Sequence, residues 1–218
     1  MAEISAQKVK DLREKSGAGM MDCKKALSEA GGDLEKAFEV LRKKGLKTVE
    51  KRAGKTAAEG TIFSYVHSGG RIGVMLELNS ETDFVARSDD FLGLAKEISM
   101  HIAWANPQYV SREEVPEEIV EKEKTILKSQ LKPEQEKMAD KIVSGKIEKY
   151  FSEICLLEQL DAKAASGKTK IQDLVNELSA KVGEKINVRR FSRYEVGEGI
   201  EKVETDYRQE VEQAIASA

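Results

Sequence analysis

Apolar residues recur every three or four positions through the first 45 residues, the spacing of helices with one buried face. Ala6, Val9 and Leu12 share a face of a helix that Ser5 can cap and that Gly17 and Gly19 break. Cys23, Ala26, Leu27 and Ala30 mark a second helix, stopped at Gly31-Gly32. Asp33 can cap a third, with Leu34, Ala37, Phe38 and Leu41 inward and its end expected at Gly45. Residues 1–45 therefore read as a three-helix module, whose small core gives only marginal stability. Residues 46–58 read as a basic linker, in which Lys47, Lys51, Arg52 and Lys55 continue the run begun by Lys43 and Lys44. Such a run is a solvated linker or helix extension or, on a sharper reading, a patch for RNA or an acidic partner. No aromatic residues interleave these lysines, so a stacking platform for single strands has no support.

Near Thr61 the helical period gives way to alternation. Ile62, Ser64 and Val66 alternate with Phe63 and Tyr65, and Ile72, Val74, Leu76 and Leu78 alternate with Gly73, Met75 and Glu77. Ser68-Gly69-Gly70 between the two runs completes the signal of a β-hairpin. The chain then turns through Ser80–Ala86, and Ser88 or Asp89 can cap a helix with Phe91, Leu94, Ala95, Ile98 and Ile102 inward. Apolar residues at near-heptad spacing flank Pro133 and predict an antiparallel helical hairpin over 117–149. Such a hairpin is either core scaffolding or a protruding arm that a partner grips. Tyr150–Leu157 reads as a buried strand, and Thr169 can cap a helix bearing Ile171, Leu174, Val175 and Leu178. Ile186–Val196 reads as a last strand, with Arg189, Arg190 and Arg193 mostly on its exposed side. Strands early and late with helices between predict an α+β core over residues 59–199 rather than a repeated βαβ fold. Residues 200–218 read as a C-terminal helical module, with Tyr207, Val211 and Ile215 forming one narrow apolar stripe.

Composition narrows the chemistry. With 218 residues, 40% of them apolar, the chain can bury a core. No apolar run approaches the ~20 residues of a membrane span, and MAEISAQKVK lacks the apolar stretch of a secretory signal. A cytoplasmic protein with no membrane contact is the expectation. Cys23 and Cys155, and likewise His67 and His101, lie far apart, which gives no disulfide framework, no zinc site and no support for a histidine-based triad. A net charge of −3 excludes a basic nucleic-acid coat. Ala162–Thr169 fits a loose phosphate-loop pattern ending in Lys168-Thr169. Its single glycine and the lack of a later metal-holding aspartate favour a plain turn followed by a helix cap. Gly17-Ala18-Gly19 follows a helix and lacks the third glycine of a dinucleotide loop.

What remains is Thr82-Asp83-Phe84-Val85, two apolar residues in a polar turn at a strand end. Phe84 either tucks back as a lid on the core, with Asp83 capping the turn, or stands out as an aromatic anchor beside a charge. Met20-Met21 is a similar pair in a Gly-bounded turn, and thioethers suit partner surfaces and small cores alike.

Three stretches together resemble the bacterial elongation factor Ts family. They are Val9 through Gly17-Ala18-Gly19-Met20-Met21-Asp22-Cys23-Lys24-Lys25-Ala26-Leu27 to Gly32-Asp33, then Thr82-Asp83-Phe84-Val85, then Glu195-Val196-Gly197-Glu198-Gly199-Ile200 through Asp206. The resemblance covers essentially the whole chain. It implies a ubiquitin-associated-like first module, an α+β dimerisation-type core carrying a coiled-coil arm, and a C-terminal module. It also implies a guanine-nucleotide exchange factor, not an enzyme and without a cofactor, that binds elongation factor Tu with GDP and expels the nucleotide. Thr82, Asp83, Phe84 and Val85 would form the turn that disturbs the partner's Mg²⁺ site. Leu12, Met20 and Met21 would touch the partner's GTPase domain, as would the C-terminal helix around Tyr207 and Val211. Longer family members carry two related core halves, whereas this chain has one strand of the Arg71-Ile72-Gly73-Val74 type. It resembles the short form, and a single half-core can complete its surface by pairing with a second copy, so a homodimer is expected. Two readings compete: an RNA- or ribosome-binding factor using the Lys43–Lys55 stretch with Arg189, Arg190 and Arg193, and a nucleotide hydrolase using Lys168.

Overall fold

The computed structural model describes residues 4–163, 167–201 and 215. The hydroxyl of Ser5 accepts from the Lys8 N–H at 3.3 Å to start α1 (Ala6–Ser16), and Gly17, at φ 65°, ends it in the left-handed region. After α2 (Met20–Glu29), the Asp33 carboxylate accepts from the N–H groups of Glu35 and Lys36 at 2.9 and 3.0 Å to start α3 (Leu34–Arg52). These backbone bonds, Lys36 foremost, hold the Asp33 carboxyl below its usual range. Val9, Leu12, Cys23, Leu27, Ala37 and Leu41 close a small core between the three helices, as their spacing predicts.

Helix α3 does not end at Gly45. A Cβ built on that glycine would lie 3.0 Å from the Ala180 Cβ, so Gly45 marks where α3 crosses α8 (Ile171–Val182) closely. The basic run through Arg52 is therefore helix extension, and the irregular stretch shortens to residues 53–58.

Strands β1 (Glu59–Val66), β2 (Ile72–Ser80) and β3 (Asn187–Glu195) form an antiparallel sheet in that order. Between β2 and β3 the register shifts: Glu77 faces Arg190 but Leu78 faces Val188, which leaves Arg189 as a bulge. The bulge turns Arg189 and Arg190 outward together and returns Phe191 and Arg193 to the inner face. Arg193 thus departs from its expected exposed position. Only 8% of its side chain is exposed, and it donates to the Ala103 carbonyl at 3.3 Å and to Glu195 at 2.6 Å.

On the inner face Val74, Leu76, Leu78 and Val188 pack against α5 (Asp89–Ala105) and α8. Phe91, Leu94, Ala95, Ile98 and Ile102 are all buried there, and Ser88 caps α5 by accepting from the Phe91 N–H at 3.3 Å. The outer face has no such cover among the described residues. Ile62, Val66, Met75, Tyr194 and Val196 are each more than half exposed.

The helical hairpin forms from α6 (Glu117–Ser129), a 3-10 turn at Pro133–Met138 and α7 (Ala139–Ile154). Its apolar cluster sits at the base, where Val115, Ile154 and Cys155 meet Tyr109, Ile119 and Phe151, whereas no residue of α6 is fully buried. Arg112 braces that base, pairing with Glu158 at 2.6 Å and Glu148 at 3.0 Å and lying 4.9 Å from the Phe151 ring centre. The strand expected over Tyr150–Leu157 is absent: α7 runs on to Ile154, and only Cys155 bridges, in parallel, to Tyr109. Val143, Ile147, Phe151 and Ile154 continue one helical stripe, and helix won over the local apolar run. The cap of α8 also differs from expectation. Lys170, not Thr169, precedes the helix, and its N–H donates to the Asp173 carboxylate at 3.0 Å. The expected terminal helix around Tyr207 and Val211 lies outside the described residues, as do Ala164–Ser166 of the phosphate-loop-like stretch.

Candidate functional site

At the end of β2 the chain enters α4 (Asp83–Ala86), a single helical turn. Thr82, not Asp83, caps it, its hydroxyl accepting from the Val85 N–H at 3.5 Å. Ala86 is buried and Val85 packs on the main core, which fixes the inner side of the turn. Phe84 then has nowhere to go but outward, and it is 84% exposed. The lid arrangement is thereby excluded and the presented aromatic is what the fold builds. Asp83 stands beside it, paired with Arg87 at 2.6 Å.

The turn is held from behind by residues that no motif marks. The Glu184 carboxylate accepts from the Thr82 N–H at 3.0 Å and from its hydroxyl at 2.8 Å. The Glu81 carboxylate accepts from the Lys185 N–H at 2.7 Å and from Arg52 at 3.0 Å. The ammonium of Lys185 donates to the carbonyls of Ala53 and Lys55 at 2.7 and 3.0 Å. Two positions some hundred residues apart in sequence are thus clamped together, and the end of α3 is tied to the same point.

The first module presents Met20 and Met21 at the start of α2, 53% and 65% exposed. Leu12 does not join them. It is fully buried in the module's core and has no surface to offer, so the contact expected of it is replaced by a packing role.

The remaining candidates resolve into structure. The ring of His101 is buried, and its Nε2 lies 2.9 Å from the Gln159 Oε1. Gln159 donates its own amide to the Glu153 carbonyl at 2.6 Å, which leaves Oε1 as the acceptor for His101. His67 lies at the hairpin turn, its Nδ1 3.0 Å from the Tyr65 hydroxyl. Both cysteines are buried and unpaired, and burial pushes the Cys155 thiol up to about 11. Lys168 lines a groove of about 710 Å³ between the first module and α8, shared with the carboxylate residues Asp173 and Glu177. Four of the nine cations invoked for RNA have carboxylate partners in the fold: Lys44 pairs with Asp22 at 2.5 Å and Arg190 with Glu77 at 2.6 Å on the surface, Arg52 with Glu81 at 3.0 Å, and Arg193, its side chain only 8% exposed, with Glu195 at 2.6 Å. Trp104, which its sequence neighbours give no reason to single out, is 73% exposed at the end of α5.

The fold therefore displays an aromatic ring on a side-chain-capped turn and two thioethers at a helix start, the equipment of a protein that acts by binding another protein. Comparison with known proteins gives that class a family. The family model for elongation factor TS matches residues 3–166. Elongation factor Ts of Desulforamulus reducens is 59% identical over 213 residues, covering 97% of this chain and 97% of that protein. Those of Anaeromyxobacter sp. strain K and Thermotoga petrophila are 55% and 56% identical, covering 98% and 91% of this chain and 98% and 99% of theirs. The chain belongs to the elongation factor Ts family of translation elongation, exchange factors that make and break no bond themselves.

Proposed function

We propose that this chain binds elongation factor Tu in its GDP form, promotes GDP release and leaves the factor free to load GTP by disturbing its Mg²⁺ site. The observation that carries this reading is the 84% exposed ring of Phe84 on a turn whose backbone is already fixed. Such a ring gains most by entering a pocket, and little ordering cost remains at the moment of contact. Exchange requires only that the chain bind the distorted partner more tightly than the relaxed one. Mg²⁺ bridges the phosphates and the GTPase, so displacing the elements that hold it loosens metal and nucleotide together. Thr82 and Val85 set the turn, and Asp83 places a carboxylate beside the wedge. Met20 and Met21 supply a second contact on the GTPase domain, on a module whose core Leu12 helps to fill, and Tyr207 and Val211 in the C-terminal segment supply a third. The work belongs in the cytoplasm, where translation proceeds.

The proposal includes a homodimer joined through the outer face of the sheet. Ile62, Val66, Met75, Tyr194 and Val196 line that face, and it carries the Glu77–Arg190 pair, so a two-fold axis through it would match apolar with apolar.

Linkage makes the exchange reading testable without kinetics. If the chain lowers the affinity of the partner for GDP, GDP must lower the affinity of the partner for the chain by the same factor. A mixture with nucleotide-free elongation factor Tu is expected to run as one complex in size-exclusion chromatography, and excess GDP with Mg²⁺ is expected to separate it. A complex equally stable with and without GDP would contradict the proposal.

A further inference from the structure

The turn that carries Phe84 is only one helical turn long, from Asp83 to Ala86, too short to fix its own orientation by length. Its direction must come from outside. Behind it, two carboxylates are exchanged between two chain segments. Glu81 accepts the backbone N–H of Lys185, the neighbour of Glu184, at 2.7 Å. Glu184 accepts the backbone N–H of Thr82, the neighbour of Glu81, at 3.0 Å, and the Thr82 hydroxyl at 2.8 Å. Each segment thus holds the other through a charge-assisted bond to its main chain. Glu184 is placed by the end of α8: Gly183 leaves the helix at φ 74°, and the Glu184 carbonyl is capped by the Ser179 hydroxyl at 2.5 Å. The second oxygen of Glu81 takes Arg52 at 3.0 Å, at the last residue of the helix that begins in the first module. The other bonds around the turn add little orientation, since the Ser80 hydroxyl to the Thr82 carbonyl, at 2.8 Å, stays within the same segment.

From this geometry we infer that Glu184, with Glu81, is a positioning residue for nucleotide exchange: the pair aims the Phe84 wedge and ties its direction to the first module. The inference rests on the wedge reading of Phe84 given above. Glu184 touches no partner in this account and acts through Thr82 alone. Its role calls for a carboxylate in particular, because it accepts two hydrogen bonds from one residue and donates none. A glutamine of the same shape keeps one oxygen for the Thr82 N–H but can meet the hydroxyl only by donating to it, which reverses that bond and takes away the negative charge that strengthens both.

The test measures release of fluorescent GDP from elongation factor Tu over a range of concentrations of the full chain, for wild type, Glu184→Gln, Phe84→Ala and the double variant. Thermal unfolding of each variant is followed alongside. Glu184→Gln is expected to lower the maximal release rate by about tenfold, the scale of one misplaced bidentate contact, with a smaller change in the half-saturating concentration. The double variant is expected to release GDP no more slowly than Phe84→Ala alone, because Glu184 has no route to the partner except that ring. A multiplied loss in the double variant would mean that Glu184 acts elsewhere and would overturn the inference. So would a wild-type rate for Glu184→Gln beside a slow Phe84→Ala. A Phe84→Ala variant as fast as wild type would instead remove the wedge itself, and the inference with it. If Glu184→Gln fails to fold, Glu81→Gln reads the other half of the same clamp without touching the Thr82 cap: it should also lower the maximal rate, and a wild-type rate beside a slow Phe84→Ala would overturn the inference.

Discussion

Replacing Phe84 with alanine is expected to slow assisted GDP release from elongation factor Tu by roughly 10- to 100-fold while leaving the fold untouched. The two halves of that expectation have separate causes. The ring is 84% exposed and makes no core contact, so its removal should change stability by less than about 0.5 kcal/mol. The inner side of the turn survives the change, since Ala86 remains buried and Val85 remains on the core. Against the partner, an aromatic that fills a pocket only in the distorted state contributes to the maximal rate rather than to initial binding. Stopped-flow release at saturating chain, with urea unfolding of the same variant, checks both halves. Unchanged release would remove Phe84 from the mechanism, and a large loss of stability would mean that the ring supports the fold.

The second large effect is expected at the sheet. Met75 lies on the central strand, on the outer face, and is more than half exposed in the single chain. If that face joins two copies, Met75→Lys places two unpaired ammonium groups near one two-fold axis. Burying an unpaired charge costs about 3–5 kcal/mol, so dimer dissociation should strengthen by more than about 100-fold. Sedimentation equilibrium reads this directly: wild type as a dimer at micromolar concentration, Met75→Lys as a monomer with unchanged helix and strand content. The same mass for both proteins would show that the outer face is not the contact.

Much of this architecture is legible in the sequence because its signals are periodic. Two β-rich runs from Ile62 to Leu78 have one structural meaning when a Ser-Gly-Gly turn divides them. The caps at Ser5, Asp33 and Ser88 are equally local, and all three form. The misread stretches are those where local signals compete. Tyr150–Leu157 carries apolar residues on every side, so it satisfies a strand and a helix alike, and the decision came from the Val143–Ile147 stripe before it. Gly45 reads as a stop unless the helix lying against it is known. Arg193 reads as exposed because the bulge at Arg189 shifts the alternation by one residue, and a bulge leaves no periodic trace.

The site divides in the same way. Thr82–Val85 stands out in the sequence, but whether Phe84 folds in or out depends on Val85 and Ala86 claiming the core side first. The clamp from Glu81 and Glu184 has no local signature at all. Its partners come together only because β2 and the segment entering β3 lie side by side in the sheet.

This chain is expected to speed nucleotide exchange on elongation factor Tu, and release of a fluorescent GDP from that factor at fixed Mg²⁺ reads that acceleration without intermediaries. With the chain present at a tenth or less of the factor's concentration, release should accelerate strongly and run to completion, since each chain acts many times. Release at the unassisted rate, with both proteins folded, would contradict the account.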